Sequence, residues 1–193
     1  MSAASRRSSK PKGTRHVPSG VRRMGREVGR SAGLSTIPLW DYGARAMRGV
    51  CQRVSRAQVR VDGRTVGQIG PGLCVLLGVA RGDWIEEAVR LAGKVARLRV
   101  FPDEAGRFDR SVLDAGGSAL VVSQFTLIAD SKRQKGTRPD FSATAPRAQA
   151  EPLYEHFCQA LRDLGVPVET GVFGAHMQLE LVNDGPVTIV LDV

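Results

Sequence analysis

The sequence has few of the side chains that usually do chemistry. It holds three histidines, His16, His156 and His176, and three cysteines, Cys51, Cys74 and Cys158. The cysteines are far apart, odd in number and set in apolar surroundings, which argues against both a disulfide framework and a zinc site with paired spacing. They read as reduced core residues of a cytoplasmic protein. No carboxylate pair or His/Asp/Glu spacing suggests a metal, and no cofactor is expected. No run approaches the roughly 18 to 20 apolar residues that a membrane span needs, so no membrane partner is expected. No phosphate-binding glycine fingerprint follows a strand, and no internal repeat is visible. If the chain is an enzyme, it works largely with backbone groups and with its substrate.

The net charge of +9 is unevenly held. Residues 1–46 carry eight Arg and two Lys against Glu27 and Asp41, whereas residues 47–193 are close to neutral. The high isoelectric point is therefore no argument for nucleic-acid binding by the body. Residues 1–46 are rich in Arg, Ser and Gly, lack apolar periodicity, and are expected to be disordered in isolation. Three readings stay open for them: a start codon assigned upstream of a true start at Met47, which we favour; an organellar transit peptide; or a basic arm that adds phosphate contacts. Without an apolar h-region, a secretory signal is not expected. Residues 47–193 suit one domain with a real core.

Along the body, Val50 to Val61 alternates as a strand, Asp62-Gly63 supplies a tight turn, and Thr65 to Ile69 completes a hairpin. Leu73 to Val79 is a continuous apolar run fit for a central strand. Asp83 is placed to N-cap a helix from Trp84 to about Arg99. A short strand at Val100 to Pro102 and a polar loop at Asp103 to Arg107 follow. Ala119 to Phe125 reads as a strand, Asp130 to Phe141 as a long polar loop, and Arg147 to Gly165 as a second helix with Leu153, Tyr154, Phe157 and Leu161 on one face. Val168 to Val172, Met177 to Val182 and Val187 to Val193 read as three strands, the last two separated by a rigid Gly185-Pro186 turn. The pattern predicts an α/β fold: one domain, a layered mixed sheet, and two helices.

Two segments stand out, Ser123-Gln124-Phe125-Thr126 and Asn183-Asp184-Gly185-Pro186-Val187-Thr188. Together they resemble the D-aminoacyl-tRNA deacylase family, whose signatures are a Ser-Gln-Phe-Thr strand end and an Asn-x-Gly-Pro-x-Thr turn. The likeness runs from Met47 to the C-terminus, through Gly70-Pro71-Gly72-Leu73, Phe101-Pro102-Asp103, Pro152-Leu153-Tyr154-Glu155 and Glu169-Thr170-Gly171-Val172-Phe173-Gly174. It implies a layered sheet with both helices on one face, and a homodimer with active sites at the subunit interface. It also implies an esterase that removes D-amino acids, or glycine, from the acceptor end of tRNA. The Gly185-Pro186 bond is expected to be cis, with its carbonyls reaching the partner's pocket to exclude L-residues. Arg53, Asn183 and Thr188 are expected to support that turn.

Ser123, Gln124, Phe125 and Thr126 are the catalytic candidates, although polar residues at a strand end are more often simply hydrogen-bonded. Thr126 as a nucleophile needs a base that the sequence does not offer. A positional role is more economical, with the N–H groups around Phe125 and Thr126 stabilising an oxyanion. The family's mechanism supplies the missing base from the substrate's 2′-hydroxyl. His156 reads as a helix-surface residue, and His176, where relatives often have Asp, is not assigned chemistry. Lys132, Arg133, Lys135 and Arg138 put four positive charges in seven residues. A solvated loop would explain them, but beside the active-site strand they are candidates for acceptor-stem phosphates, with Phe141 lining the pocket of the terminal adenine. Asp140 stands where the family has Ser and weakens that electrostatic argument slightly.

Overall fold

β1, Arg48–Val61, is fourteen residues long and organises the sheet. The computed structural model describes residues 46–193, with backbone only at residues 130–135; the expectations for residues 1–45 lie outside the described residues. From Arg48 to Val54, β1 pairs antiparallel with β3 (Gly72–Gly78). From Ala57 to Val61 it pairs instead with β2 (Arg64–Ile69). The hairpin between β1 and β2 turns at Asp62 and Gly63, both at positive φ, as the Asp-Gly signature predicts.

The helix α1 (Ile85–Ala96) follows β3, and a small two-stranded sheet, β4 (Phe101–Pro102) with β5 (Phe108–Arg110), comes after it. β6 (Ser118–Ser123) runs parallel to β3, and β9 (Val168–Thr170) runs parallel to β6. Between β6 and β9 lie a hairpin of β7 (Asp130–Lys135) and β8 (Arg138–Asp140), and the helix α2 (Arg147–Asp163). β10, Gln178–Asp192, closes the chain along the other edge of β1, so the order is β10-β1-β3-β6-β9.

Alternation along β3 divides the core in two. Leu73, Val75 and Leu77 face one layer with Leu91 and Val95 of α1 and Phe157 and Leu161 of α2. Both helices therefore pack on one face, as expected. Cys74 faces the opposite layer with Val54, Val59, Ile69, Leu120 and Val122. On that side the sheet curls nearly into a barrel, because β2 crosses back over β9. A Cβ on Gly67 would lie 2.5 Å from the Thr170 carbonyl oxygen, so only glycine admits the approach.

Four local expectations are corrected. Asp83 does not cap α1: it is buried, and its carboxylate accepts the Ala80 N–H at 2.6 Å. Burial pushes its pKa up to about 6 against that hydrogen bond. Trp84 is the N-cap residue, and its N–H donates to Glu87 at 2.9 Å. The strand expected to reach Phe125 stops at Ser123, and a 3₁₀ turn, Phe125–Ile128, follows. Residues 130–140 form the β7–β8 hairpin rather than a loop. Finally, Gly185-Pro186 does not join two strands. It sits in an irregularity of β10, where pairing with β1 jumps from Gln52↔Thr188 to Val54↔Asn183.

Candidate active site

The parallel strands β3 and β6 end side by side, and a cleft opens beyond their C-terminal ends, where open α/β sheets commonly take ligands. Its volume is about 580 Å³. Leu77, Val79, Val122, Tyr154, Phe173 and Met177 give it apolar surface, and Ser123, Gln124, Thr144, Arg147 and His176 add polar groups. Tyr154 is held by donating to the Val121 carbonyl at 2.8 Å, which ties α2 to β6. A second depression, of about 730 Å³, lies along β1, β2 and β10 around Arg56, Gln58 and Glu180, and contains none of the residues selected from sequence.

The Ser123–Phe125 wall is set by main chain, and Thr126, next along the turn, does not line the cleft. The Gln124 N–H donates to Leu77 O at 2.7 Å, and Gln124 O accepts from Leu127 N at 3.2 Å. A 3₁₀ turn leaves its first N–H groups, here those of Phe125 and Thr126, without partners inside the turn. Gly78 makes room for it: a Cβ there would lie 3.0 Å from Leu127 Cβ and 3.1 Å from Gln124 O. The Gln124 side-chain amide donates to Thr126 Oγ1 at 2.5 Å, and an amide is no proton acceptor for a nucleophile. Burial pushes the Cys51 and Cys74 thiols up to about 12 and Cys158 to about 11, so all three stay protonated and unreactive at neutral pH.

The second segment is held by side chains. Arg53, 8% exposed, donates from Nε to Asp184 O at 2.9 Å and from Nη1 to Val100 O at 2.5 Å, with its guanidinium 5.3 Å from the centre of the Phe108 ring. Asn183 Oδ1 accepts the Val187 N–H at 2.7 Å, and its Nδ2 donates to Thr188 Oγ1 at 3.1 Å. The Gly185–Pro186 peptide bond is cis, and Gly185 has φ +136. Both residues are exposed and do not line the cleft of their own chain.

The structure thus brings Ser123, Gln124 and Phe125 to the cleft and groups Arg53, Asn183 and Thr188 around Gly185. It does not unite the two sets within one chain. The side chains of Lys132, Arg133 and Lys135 lie outside the described residues; Arg138 is exposed on β8. Phe141 does not line the cleft, but stands edge-on to Phe125 with ring centres 5.3 Å apart. Sequence reasoning missed Arg147, Phe173, Met177 and the cleft position of His176. Arg147 pairs with Glu151 at 3.0 Å and lies 5.8 Å from the centre of the Phe173 ring. The Arg-x₃-Glu spacing at a helix start was the available signal for this pair. Nothing local marks the other three. Among the described residues no group of His, Cys, Asp or Glu is arranged to hold a metal ion.

Comparison with known proteins agrees with this architecture. The family model for D-Tyr-tRNA(Tyr) deacylase matches residues 50–192. The D-aminoacyl-tRNA deacylase of Ruegeria pomeroyi is 59% identical over 147 residues, covering 76% of this chain and all of the relative. That of Thermomicrobium roseum is 61% identical over 146 residues, covering 76% of this chain and 94% of the relative. A solved structure described as c-Myc DNA Unwinding Element Binding Protein superposes with a TM-score of 0.71 at 44% identity, over 76% of this chain and 99% of its own. A probable eukaryotic D-amino acid tRNA deacylase shares the fold at 18% identity, with a TM-score of 0.66. With a match that spans both signature segments and every strand of the main sheet, the chain belongs to the D-Tyr-tRNA(Tyr) deacylase family.

Proposed function

We propose that this chain is a homodimeric tRNA-editing esterase of the cytoplasm. It hydrolyses the ester between a D-amino acid, or glycine, and the terminal adenosine of tRNA, and it rejects L-aminoacyl esters. Relatives named D-aminoacyl-tRNA deacylase support the reaction class, a hydrolase acting on carboxylic ester bonds. The observation that carries the reading is the 3₁₀ turn at Phe125–Ile128, which starts at the wall of a cleft with much apolar lining and whose first N–H groups have no partner inside the turn. Such N–H groups suit a developing oxyanion, and the apolar lining suits a nucleobase.

In the reaction, a water oxygen bonds to the ester carbonyl carbon and the carbonyl electron pair moves onto oxygen. The 2′-hydroxyl of the same adenosine relays the proton, accepting one from the water as it gives its own to the departing 3′-oxygen. The bond from the carbonyl carbon to the ribose 3′-oxygen breaks, that oxygen leaves as a hydroxyl with the relayed proton, and the product acid ionises to its carboxylate by losing a proton to solvent. The protein's part is to place the ester and hold the oxyanion.

We assign chirality to Gly185 and Pro186 reaching the partner's cleft near Ser123 to Thr126, where main-chain atoms leave room for hydrogen but not for an L side chain. The exposure of this segment in its own chain supports a role across a subunit boundary, as do the supports from Arg53, Asn183 and Thr188. Lys132, Arg133, Lys135 and Arg138 are assigned to acceptor-end phosphates. We place the activity in residues 47–193, so a chain starting at Met47 should deacylate as fast as the full chain at moderate salt.

The test is to follow deacylation of D-Tyr-tRNA and L-Tyr-tRNA by the full chain. Loss of the D-ester alone is expected, slowed by two orders of magnitude or so when the terminal adenosine lacks its 2′-hydroxyl. Binding without turnover would instead make the protein a tRNA-binding module.

A further inference from the structure

Phe125 and Phe141 are large apolar side chains left 57% and 38% exposed, edge-on to each other at the rim of the cleft. Phe125 borders the cleft and Phe141 lies outside it, so the pair continues the apolar surface outward. The main chain beneath Phe141 is fixed. Thr144 N–H donates to Phe141 O at 3.0 Å, and Ser142 N–H donates to Asp140 Oδ1 at 2.8 Å. Exposed Arg81 binds the same segment, donating from Nε to Ser142 O at 2.9 Å and from its main-chain N–H to Ala143 O at 2.8 Å. Two open aromatic rings on a fixed backbone, beside a guanidinium, are the makings of a seat for one unpaired nucleotide. Stacking takes the base, and the cation takes its phosphate.

We propose that the Phe125–Phe141 pair stacks the base of the penultimate nucleotide of the tRNA 3′ end, with Arg81 on the neighbouring phosphate, while the cleft itself takes the terminal adenosine. This rests on the reading of the cleft given above. It moves Phe141 from the adenine pocket to the next position along the strand. Charge supports a nucleic-acid occupant over an apolar peptide: besides Arg81, the adjoining hairpin carries Lys132, Arg133, Lys135 and Arg138 in its sequence.

The experiment crosses a protein change with a substrate change. D-Tyr-tRNA is prepared with its normal 3′ end or with the penultimate base removed, and both are given to the wild-type chain and to Phe141→Ala. For the wild type, removing the base should lower kcat/KM by about tenfold to a hundredfold, chiefly through KM. For Phe141→Ala the same removal should cost less than about twofold, since the stacking is already gone. Phe141→Leu, which keeps bulk but not the aromatic face, should behave like the alanine variant and guards against a folding defect. Arg81→Gln should reduce the salt dependence of KM by roughly one phosphate contact.

Losses that multiply independently would overturn the proposal, because the ring would not be touching that base. An equal loss for Phe141→Ala on D-Tyr-adenosine, which has no penultimate nucleotide, would overturn it in favour of the terminal adenosine. A dimer weakened by Phe141→Ala, with the base effect unchanged, would assign the pair to the subunit contact. If the wild type turns over no D-ester at all, the functional reading has failed rather than this subsite.

Discussion

The main chain leaves regular strand geometry at two places near the candidate site, and the two are built in opposite ways. At Gln124–Ile128 the backbone holds itself, through Gln124 N–H to Leu77 O and the bonds of the 3₁₀ turn. At Asn183–Thr188 side chains hold the backbone: Asn183 grips Val187 N–H, and Arg53 grips the Asp184 carbonyl. The first should tolerate changes in its own side chains but not in the space beneath it. The second should fail when any supporting side chain is shortened. If the second segment gates the partner's cleft and the first holds the oxyanion, the two failures differ kinetically as well.

The largest effect is expected at Gly185. A Cβ there would lie 2.7 Å from Val187 Cγ2 and 3.0 Å from Arg53 Nη2, on a backbone at φ +136 that other residues rarely adopt. Gly185→Val should lower kcat/KM for D-Tyr-tRNA by at least about 100-fold, since an ångström of misplacement can cost that much. Circular dichroism and sedimentation should still show the fold and association state of the wild type. Activity within tenfold of wild type would remove this segment from the site.

Arg53→Lys comes next. A lysine cannot span the Asp184 and Val100 carbonyls that Arg53 reaches at 2.9 and 2.5 Å. We expect roughly a thirtyfold loss in kcat/KM, with about 1–3 kcal/mol less stability because a buried carbonyl loses its donor. The telling readout is discrimination: a loosened segment should let L-Tyr-tRNA be cleaved at a measurable rate. Unchanged discrimination would mean that Asn183 alone fixes the segment.

Gly78→Ala probes the backbone-built turn from below, through the space that Leu127 Cβ and Gln124 O fill. A tenfold or so fall in kcat with little change in KM is expected if the turn binds the transition state in preference to the substrate. A change in KM alone would make the turn a binding element.

The contrast between the two segments also explains what the sequence could show. The side-chain-built segment was legible through the family resemblance, which singled out Asn183, Thr188 and, far away, Arg53. The hairpin at Asp62-Gly63 and the buried stripe of α2 were legible in the residues themselves, since local chemistry or a period decides them. The 3₁₀ turn was not legible, because Phe125, Thr126 and Leu127 suit a strand as well, and only packing against Gly78 bends them away. Asp83 looked like a cap until tertiary contacts buried it against Ala80. Arg147, Phe173 and Met177 also line the cleft, and the fold alone brings them together with Ser123. Polar runs such as residues 130–140 carry no apolar period, so the β7–β8 pairing left no trace.

The smallest effect belongs to the residues that look most like catalysts. Thr126 is exposed, and its hydroxyl faces the Gln124 amide, which offers nothing to receive a proton. His176 borders the cleft and is the nearest thing there to an ordinary base. If the 2′-hydroxyl of the substrate serves that role, Thr126→Ala and His176→Ala should each stay within about fivefold of wild-type kcat, far short of the 10²–10⁴-fold that a general base contributes. The double variant should lose no more than the product of the two, because the side chains then share no step. A trapped acyl-enzyme, lost in Thr126→Ala along with activity, would make the threonine a nucleophile. A large loss of kcat in His176→Ala, with KM little changed, would make the histidine the base. Either outcome would overturn the division drawn here, in which the Gln124–Ile128 segment acts through its main chain alone.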